Sequence, residues 1–542
     1  MIGFHIDMNM AQYRVDYLKR WLARLAYTGY DTILWEVENS VEWETCPECA
    51  SPDAISKAEC RALIDECRNL GLEPIPLFQT IGHAEYVLKH DRYAHLRELP
   101  DKIDQYCPRH PELIPFLHRW MDEYFEVFGP VKYFHLGADE AWWIGRCPRC
   151  CAYAEEHSIS DLYIDHVSQI AQPLIERGVT PILWADMLLH YPQALDRLSR
   201  QIMLFDWVYW VYRGSGTVQV WGQGTLNGDE LRALEGSEFM ERFGPYLFPH
   251  GDEPGQRPET FYSADYLAAQ GFQVVTCPSA SSYGDNVFSP RNWLHLSNTF
   301  DSFKKGMQPH LHGTMLTSWS VHLFPWELQW PSIAVPAFLK HHPTSSLNKY
   351  PAWFERHHFK TGEATPEPTH IFWKAAGLLS KSCLFTHTAS LGFDKAGLPV
   401  PADHVEQTLR RLAAEGQLEQ AADQCRRRLA EYEASLRMFE SFSLWISHDG
   451  AELTEWKLAA LNLVHRAKTS LFLLEHASDV IAGRALASEK DRRAARQLLD
   501  GLTSLRNITQ GVYDSFIRPQ RACMMVEYMF GALERTLATL AG

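Results

Sequence analysis

The feature that most constrains this chain is a recurrence. Over roughly the first 340 residues, short apolar runs alternate with amphipathic helical stretches. "IGFHIDM" (2–8) is followed by Val15, Leu18, Trp21, Leu22 and Leu25 at helical spacing, and Gly29 closes that helix. Seven further runs follow: "DTILWEV" (31–37), "EPIPLF" (73–78), "VKYFHLG" (131–137), "TPILWAD" (180–186), "IMLFDWV" (202–208), "FQVVTCP" (272–278) and "GTMLTSW" (313–319). Strands buried on both faces read as such continuous apolar runs, and parallel neighbours need long, usually helical, crossovers. Eight of them within this length predict an α/β fold, a (β/α)8 TIM barrel. A doubly wound sheet is the alternative.

The chain has 542 residues, more than one core normally serves, so two domains are expected. After Pro336 the pattern changes, and the Pro-containing stretch "TGEATPEPTH" (361–370) leads into helical sequence. Leu409, Leu412, Leu418, Cys425, Leu429, Tyr432, Leu436 and Phe439 trace one stripe; Trp456, Leu463, Val464 and Leu471 begin a second; Leu502, Leu505 and Ile508 begin a third. The expected division is a barrel over 1–345 and a C-terminal α-helical domain over 346–542, supporting the barrel or forming a homodimer. Between the sixth and seventh strands, about 209 to 265, lies an insertion rich in Gly, Pro and aromatics; so long a connection is usually functional.

A net charge of −16 argues against nucleic acid or an anionic membrane surface as partner. The 18 Trp, 22 Tyr and 27 Phe suit either a large core or a sugar-binding cleft. No run of about 18 apolar residues could span a bilayer, and "MIGFHIDMN" lacks a basic n-region and an apolar h-region. The expected location is cytoplasmic, where the 12 Cys would be mostly reduced.

The chemistry concentrates in "HLGADEAWW" (135–143). A strand period of two puts Tyr133, His135, Gly137 and Asp139 on one face, with Glu140 where the strand breaks into its loop. Barrel chemistry is done at the carboxyl ends of strands. Cleaving a glycosidic bond needs an acid for the leaving oxygen and a group that stabilises the oxocarbenium-like centre, and two carboxylates can divide that labour. An ordinary acidic loop is the competing reading of the dipeptide alone.

His135-Leu136-Gly137-Ala138-Asp139-Glu140 resembles the H-x-G-x-D-E motif of glycoside hydrolase family 20, the β-N-acetylhexosaminidases. "PIPLFQTIGHAEYVLKHDRYAHLRE" (74–98) resembles the third-strand segment of that family's intracellular hexosaminidase D branch. "VTPILWADML" (179–188), "GTMLTSW" followed by Glu327, and "ILWEVEN" (33–39) resemble the fifth, eighth and second strand ends. The resemblance covers about residues 2 to 340 and none of the helical tail. It implies a retaining exo-β-N-acetylhexosaminidase acting on a small glycan or glycoconjugate, in which the substrate's own acetamide oxygen attacks the anomeric carbon to give an oxazolinium. Asp139 would hold the acetamide N–H, and Glu140 would be general acid and then base, its pKa raised by Trp142 and Trp143. Trp184, Trp207 and Trp319 would wall the acetamide and sugar ring, and Tyr209 would donate to the acetamide oxygen. His83 and His135 would orient carboxylates, and Glu327 would bind a sugar hydroxyl. Each Trp or His has a plain core role as the alternative.

Two departures matter. Where many secreted members carry an Arg in the first strand, this chain offers His5 and Asp7; Ala185 stands where hexosaminidase D has an Asp, although Asp186 is kept. Choice between GalNAc and GlcNAc is therefore not transferred, with a lean to GalNAc. A barrel glycosidase for a modified sugar lacking the acetamide, and a non-catalytic sugar-binding barrel, are the alternatives. No cofactor is expected for catalysis. Finally, "CPEC" (46–49) and "CPRCC" (147–151) supply Cys46, Cys49, Cys147 and Cys150, a set suited to a structural zinc.

Overall fold

The computed structural model describes residues 1–251, 255–322, 324–361, 370–386, 403–446 and 451–542, with side chains from 453 onward in the last segment. Part of the long insertion (252–254) and most of the Pro-containing stretch at 361–370 lie outside them. The chain forms two compact units.

The first unit takes in Met1–Asn9, Leu18–Ser279 and Leu294–Ser318. Its strands are β1 (Ile2–Asp7), β2 (Thr32–Glu36), β3 (Glu73–Leu77), β4 (Tyr133–His135), β5 (Thr180–Trp184), β6 (Met203–Trp207), β7 (Gln273–Cys277) and β8 (Gly313–Ser318). They pair in parallel in chain order, and Ile2, Gly3 and Phe4 of β1 stand opposite Thr314, Met315 and Leu316 of β8, closing the barrel. All eight apolar runs are thus strands. Their aliphatic and aromatic residues explain the closure: Phe4, Ile6, Ile33, Leu34, Ile75, Phe134, Ile182, Leu204, Val274 and Leu316 are fully buried. Each such side chain contributes roughly 1.5–3 kcal/mol by leaving water. The crossovers are locally specified too. Helix Lys57–Asn69 starts at Ser56, whose hydroxyl accepts from the Glu59 N–H while the Glu59 carboxylate takes the Ser56 N–H, a reciprocal cap worth about 1 kcal/mol. The insertion after β6 carries its own antiparallel hairpin, Thr217–Val220 with Gly224–Asn227, and helix Glu238–Leu247.

The second unit comprises Met10–Tyr17, Ala280–Trp293 and Trp319–Gly542. This differs from the expected division at 345. Helix Trp326–Ile333 packs against helix Ala451–Glu475, so the segment after β8 goes with the helices it buries. Helices His404–Ala414, Leu418–Phe442, Glu489–Phe516 and Pro519–Ala541 match the predicted helical tail. Its first two stripes are buried at Leu409, Cys425, Tyr432, Phe439, Trp456 and Leu463. The third is corrected: Ile508 is 54 % exposed, and the inward face runs through Ala495, Leu502, Thr509, Tyr513 and Phe516. A seven-residue step from 502 returns to the same face of a helix, whereas six residues do not. Among the described residues, no helix is long and apolar enough to cross a membrane.

Candidate active site

Strand β4 ends at His135, four residues short of the predicted alternation through Asp139, because the chain then leaves extended geometry. Gly137 (φ 61°), Ala138 (φ 68°) and Glu140 (φ 47°) are all left-handed. A Cβ on Gly137 would strike the Gln79 side chain, so only glycine fits there. Left-handed backbone at Ala138 and Glu140 costs roughly 1–2 kcal/mol each, and such strain gathers where side chains must be aimed. Nearby anchors hold this turn. The Tyr163 hydroxyl donates to Ala138 O at 2.8 Å, the Glu140 N–H donates to Asp186 Oδ2 at 2.9 Å, and the Thr80 hydroxyl donates to Leu136 O at 2.7 Å.

From the loop after β3, His83 approaches the same turn, also left-handed at φ 53°. Its Nε2 lies 3.2 Å from Asp139 Oδ2 and 3.3 Å from Glu140 Oε2. Gly82 permits this approach, since a Cβ there would collide with the Asp139 carbonyl oxygen. The two carboxylates differ in surroundings: the Asp139 side chain is 5 % exposed and that of Glu140 is 35 % exposed. Asp139 Oδ1 is buried without a hydrogen-bond partner among the described residues. Buried acceptors are nearly always satisfied, so an open one beside a carboxylate pair marks a place for a ligand donor.

Asp186, at the end of β5, completes the group. Burial first, and then the Asp139 charge, push its carboxyl well above the usual range. Its Oδ2 accepts the Glu140 N–H and so steers that backbone. Sequence reasoning noted Asp186 as kept but gave it no role; an Asp closing a barrel strand was the available signal.

A second acidic group stands at the ends of β1 and β2. His5 Nε2 pairs with Glu36 Oε2 at 2.8 Å, and Gln79 Nε2 donates to Glu36 Oε1 at 3.0 Å. Burial alone would raise Glu36, but the His5 hydrogen bond and charge outweigh it and hold the carboxyl at about 2. Glu38 is raised well above its usual range, by burial first and then by Glu36 and Asp7. Asn9 Nδ2 donates to it.

The other predicted site residues divide. Trp207 stacks on Tyr209 at 4.8 Å, and Trp210 and Trp221 add edges at 6.1 and 4.1 Å from Trp207, giving a four-ring aromatic wall. Trp210 and Trp221 were missed, although the insertion that carries Trp221 stood out by its length. His135 is corrected. It is fully buried, 4.4 Å from the Trp184 ring and 5.1 Å from Phe205, and its Nδ1 accepts the Gly137 N–H at 3.0 Å. Burial holds it well below its ordinary pKa, so it is a neutral core group that shapes the turn. Trp184 is its fully buried packing partner, which leaves it no ligand-facing surface. Of the Trp pair beyond Glu140, Trp143 donates its indole N–H to Asp104 at 2.9 Å under the Lys102 ammonium, while Trp142 meets His190 edge-on. Trp143 is thus spent on a neighbouring loop. Trp319 and Glu327 belong to the second unit, where Trp319 N–H donates to Ser281 O and Glu327 accepts from the Tyr17 hydroxyl at 3.0 Å.

The predicted zinc set is also split. Cys46 and Cys49 form a disulfide with each other, while Cys147 and Cys150 lie with Cys107 and Glu98. Cys107, Cys147 and Cys150 form no disulfide.

The catalytic-domain model of glycosyl hydrolase family 20 matches residues 3–227, a stretch that runs from β1 past β6 and contains His83, Asp139, Glu140 and Asp186. Among curated proteins, the chain is similar to Hexosaminidase D of Bos taurus, 30 % identical over 218 residues, covering 38 % of this chain and 62 % of that one. It is similar as well to Hexosaminidase D of Homo sapiens, 29 % identical over 213 residues, covering 38 % and 44 %. The matches thus span about two-fifths to three-fifths of the relatives' length. Solved structures with some likeness include a β-N-acetylhexosaminidase from Bacteroides fragilis (17 % identity, TM-score 0.45, covering 66 % of this chain and 70 % of that one). The Flavobacterium johnsoniae chitobiase is another, at 14 % identity and TM-score 0.47, covering 99 % and 77 %.

Proposed function

We propose that this protein is a retaining exo-β-N-acetylhexosaminidase that releases terminal β-linked GalNAc or GlcNAc through an oxazolinium formed by the substrate's own acetamide. The observation that carries the reading is the carboxylate pair in unequal settings: Asp139 buried with one oxygen open, Glu140 partly exposed, and His83 against both. Asp139 Oδ1 would accept the acetamide N–H, which strengthens the acetamide oxygen as nucleophile. Glu140 would give its proton to the glycosidic oxygen as the C1–O bond breaks and the acetamide oxygen bonds to C1. Water then attacks C1 as the C1–acetamide oxygen bond breaks and the acetamide is restored, Glu140 takes the water's proton, and the anomeric configuration is retained. His83 Nε2 lies within reach of both carboxylates and steadies whichever is charged. Asp186 fixes the Glu140 backbone through its hydrogen bond to the Glu140 N–H. The aromatic wall of Trp207, Tyr209, Trp210 and Trp221 suits the apolar face of a sugar or its acetamide methyl. The absent first-strand Arg leaves hydroxyl selection to other groups, because His5 is committed to Glu36.

Initial rates on aryl β-glycosides of GalNAc, GlcNAc and galactose test this directly. Turnover of the acetamido sugars alone supports the reading and names the preferred sugar. Turnover of galactose, or binding without turnover of any of the three, rejects it.

A further inference from the structure

We propose a structural zinc site made by Glu98, Cys107, Cys147 and Cys150, which ties the loop bearing His83 to the loop bearing Asp139 and Glu140. The four side chains are buried, and their ligand atoms lie within 4.8 Å of one another. Cys107 Sγ is 3.4 Å from Cys147 Sγ and 3.7 Å from Cys150 Sγ, and Cys150 Sγ is 3.2 Å from Glu98 Oε2. A tetrahedral zinc with Zn–S of about 2.3 Å and Zn–O of about 2.0–2.2 Å has ligand–ligand edges of roughly 3.4–3.8 Å. A disulfide would instead require about 2.05 Å.

The surroundings are arranged for anionic ligands. Glu98 Oε1 accepts the N–H groups of Arg146 at 2.8 Å and Cys147 at 2.9 Å, which turns Oε2 toward the sulfurs. The Cys150 N–H donates to Cys147 Sγ at 3.4 Å, and the Arg109 N–H is directed at the Cys107 and Cys150 sulfurs. The sequence shows a matching device, "CPRH" at 107–110 and "CPRC" at 147–150, two Cys-Pro-Arg turns that present their sulfurs to one centre. Three thiolates and a carboxylate buried together need a cation, and thiolate-rich tetrahedral sets select zinc among the common divalent ions. With four protein ligands no coordination position stays open for water, so the ion is structural.

Its place gives it a consequence. Glu98 and Cys107 follow β3, and Cys147 and Cys150 follow β4. Between the same loops, Gln105 Oε1 accepts the Trp143 N–H at 2.7 Å and Asp104 Oδ2 accepts its indole N–H. The metal would hold together the two segments whose side chains meet at His83, Asp139 and Glu140. The metal proposal stands whatever substrate the barrel takes, and metal content measures it independently of activity.

The test is elemental analysis of the full chain purified under reducing conditions without chelator, followed by dialysis against chelator and readdition of zinc or magnesium. About one zinc per chain is expected, with a lowered melting temperature after chelation that zinc restores and magnesium does not. Cys107→Ser and Cys150→Ser should lose the zinc, whereas Cys46→Ser and Cys49→Ser should keep it. Should the cysteine variants not fold, Glu98→Gln serves, with zinc affinity at least roughly tenfold weaker. Wild-type protein that takes up no zinc, or zinc that leaves with Cys46 and Cys49 while surviving loss of Cys107, overturns the assignment.

Discussion

The rim of the barrel and the helical unit bury ionisable groups in opposite ways. At the ends of β1, β2, β4 and β5 the buried acids stand together, Asp7 with Glu36 and Glu38, and Asp139 with Asp186 beside Glu140. Each alters its neighbour's proton affinity, so the group as a whole can hold, move or stabilise a proton. In the helical unit Arg466 and Glu355 are buried by packing. Arg466 lies between Phe288 and Phe530, 5.3 Å from each ring, and donates to Met529 O at 2.6 Å. Glu355, pushed by burial up to about 7, has no hydrogen-bond partner among the described residues at either carboxyl oxygen. Clustered acids build chemistry; an ion buried by packing fastens a core. The left-handed residues follow suit: Ala138 and Glu140 shape the turn that carries the carboxylate pair, whereas His370 merely precedes a helix.

The sharpest test of this contrast is Glu140→Gln. Turnover of a β-N-acetylhexosaminide with a poor leaving group should fall on the order of 10²–10⁴-fold while the melting temperature is unchanged. Loss of stability with retained turnover would place Glu140 among the fastening groups instead.

Acid should weaken the barrel next. His166, whose Nε2 meets Thr80 O at 3.0 Å, is lowered by burial to about 4 from an ordinary 6.5. Its folded pKa lies below its unfolded one, so the unfolded chain binds the proton more tightly. Stability is therefore full above pH 6.5, falls as pH drops toward 4, and changes no further below that on this group's account. The span corresponds to on the order of 3 kcal/mol. Urea midpoints measured across that range should show the slope in wild type and a flatter one in His166→Gln, and equal slopes would refute the attribution.

Arg466→Ala should cost about 2–4 kcal/mol of unfolding free energy, through lost packing and an orphaned carbonyl, with kcat retained by the folded protein. A fall in kcat without a fall in stability would erase the distinction between the two regions. The smallest effect belongs to Ala138→Gly. Relieving the left-handed backbone should stabilise by about 0.5–1 kcal/mol, read by thermal unfolding, without raising turnover. Destabilisation would mean that the Ala138 methyl contributes more by packing than its backbone costs.

Much of the barrel was legible because its signals are short-range. Runs such as "TILWE" and "QVVTC" announce buried strands by composition, and Ser56 with Glu59 announces a helix start within four residues. Asp139 and Glu140 were legible as a pair for the same reason. The third helical stripe failed at Ile508 because a six-residue step was read as one face. His135 and Trp184 were overread: a polar or aromatic residue at a strand end can point into the barrel's packed interior as easily as into its mouth, and the strand pattern does not separate the two.

What the sequence by itself determined is the set of eight strands, the helical tail and the acidic pair that ends β4, since each rests on neighbours a few residues apart. Tertiary structure alone decided that His83 meets both carboxylates, that Asp186 sits behind them, and that Cys147 and Cys150 join Cys107 and Glu98 rather than Cys46 and Cys49. Those meetings span some forty to sixty residues of chain, as with Glu140 and Asp186 at 46 and Cys107 and Cys147 at 40. Their geometry depends on the paths of loops that have no hydrophobic period to read, and those paths are set only when the barrel closes and brings the ends of β3, β4 and β5 together.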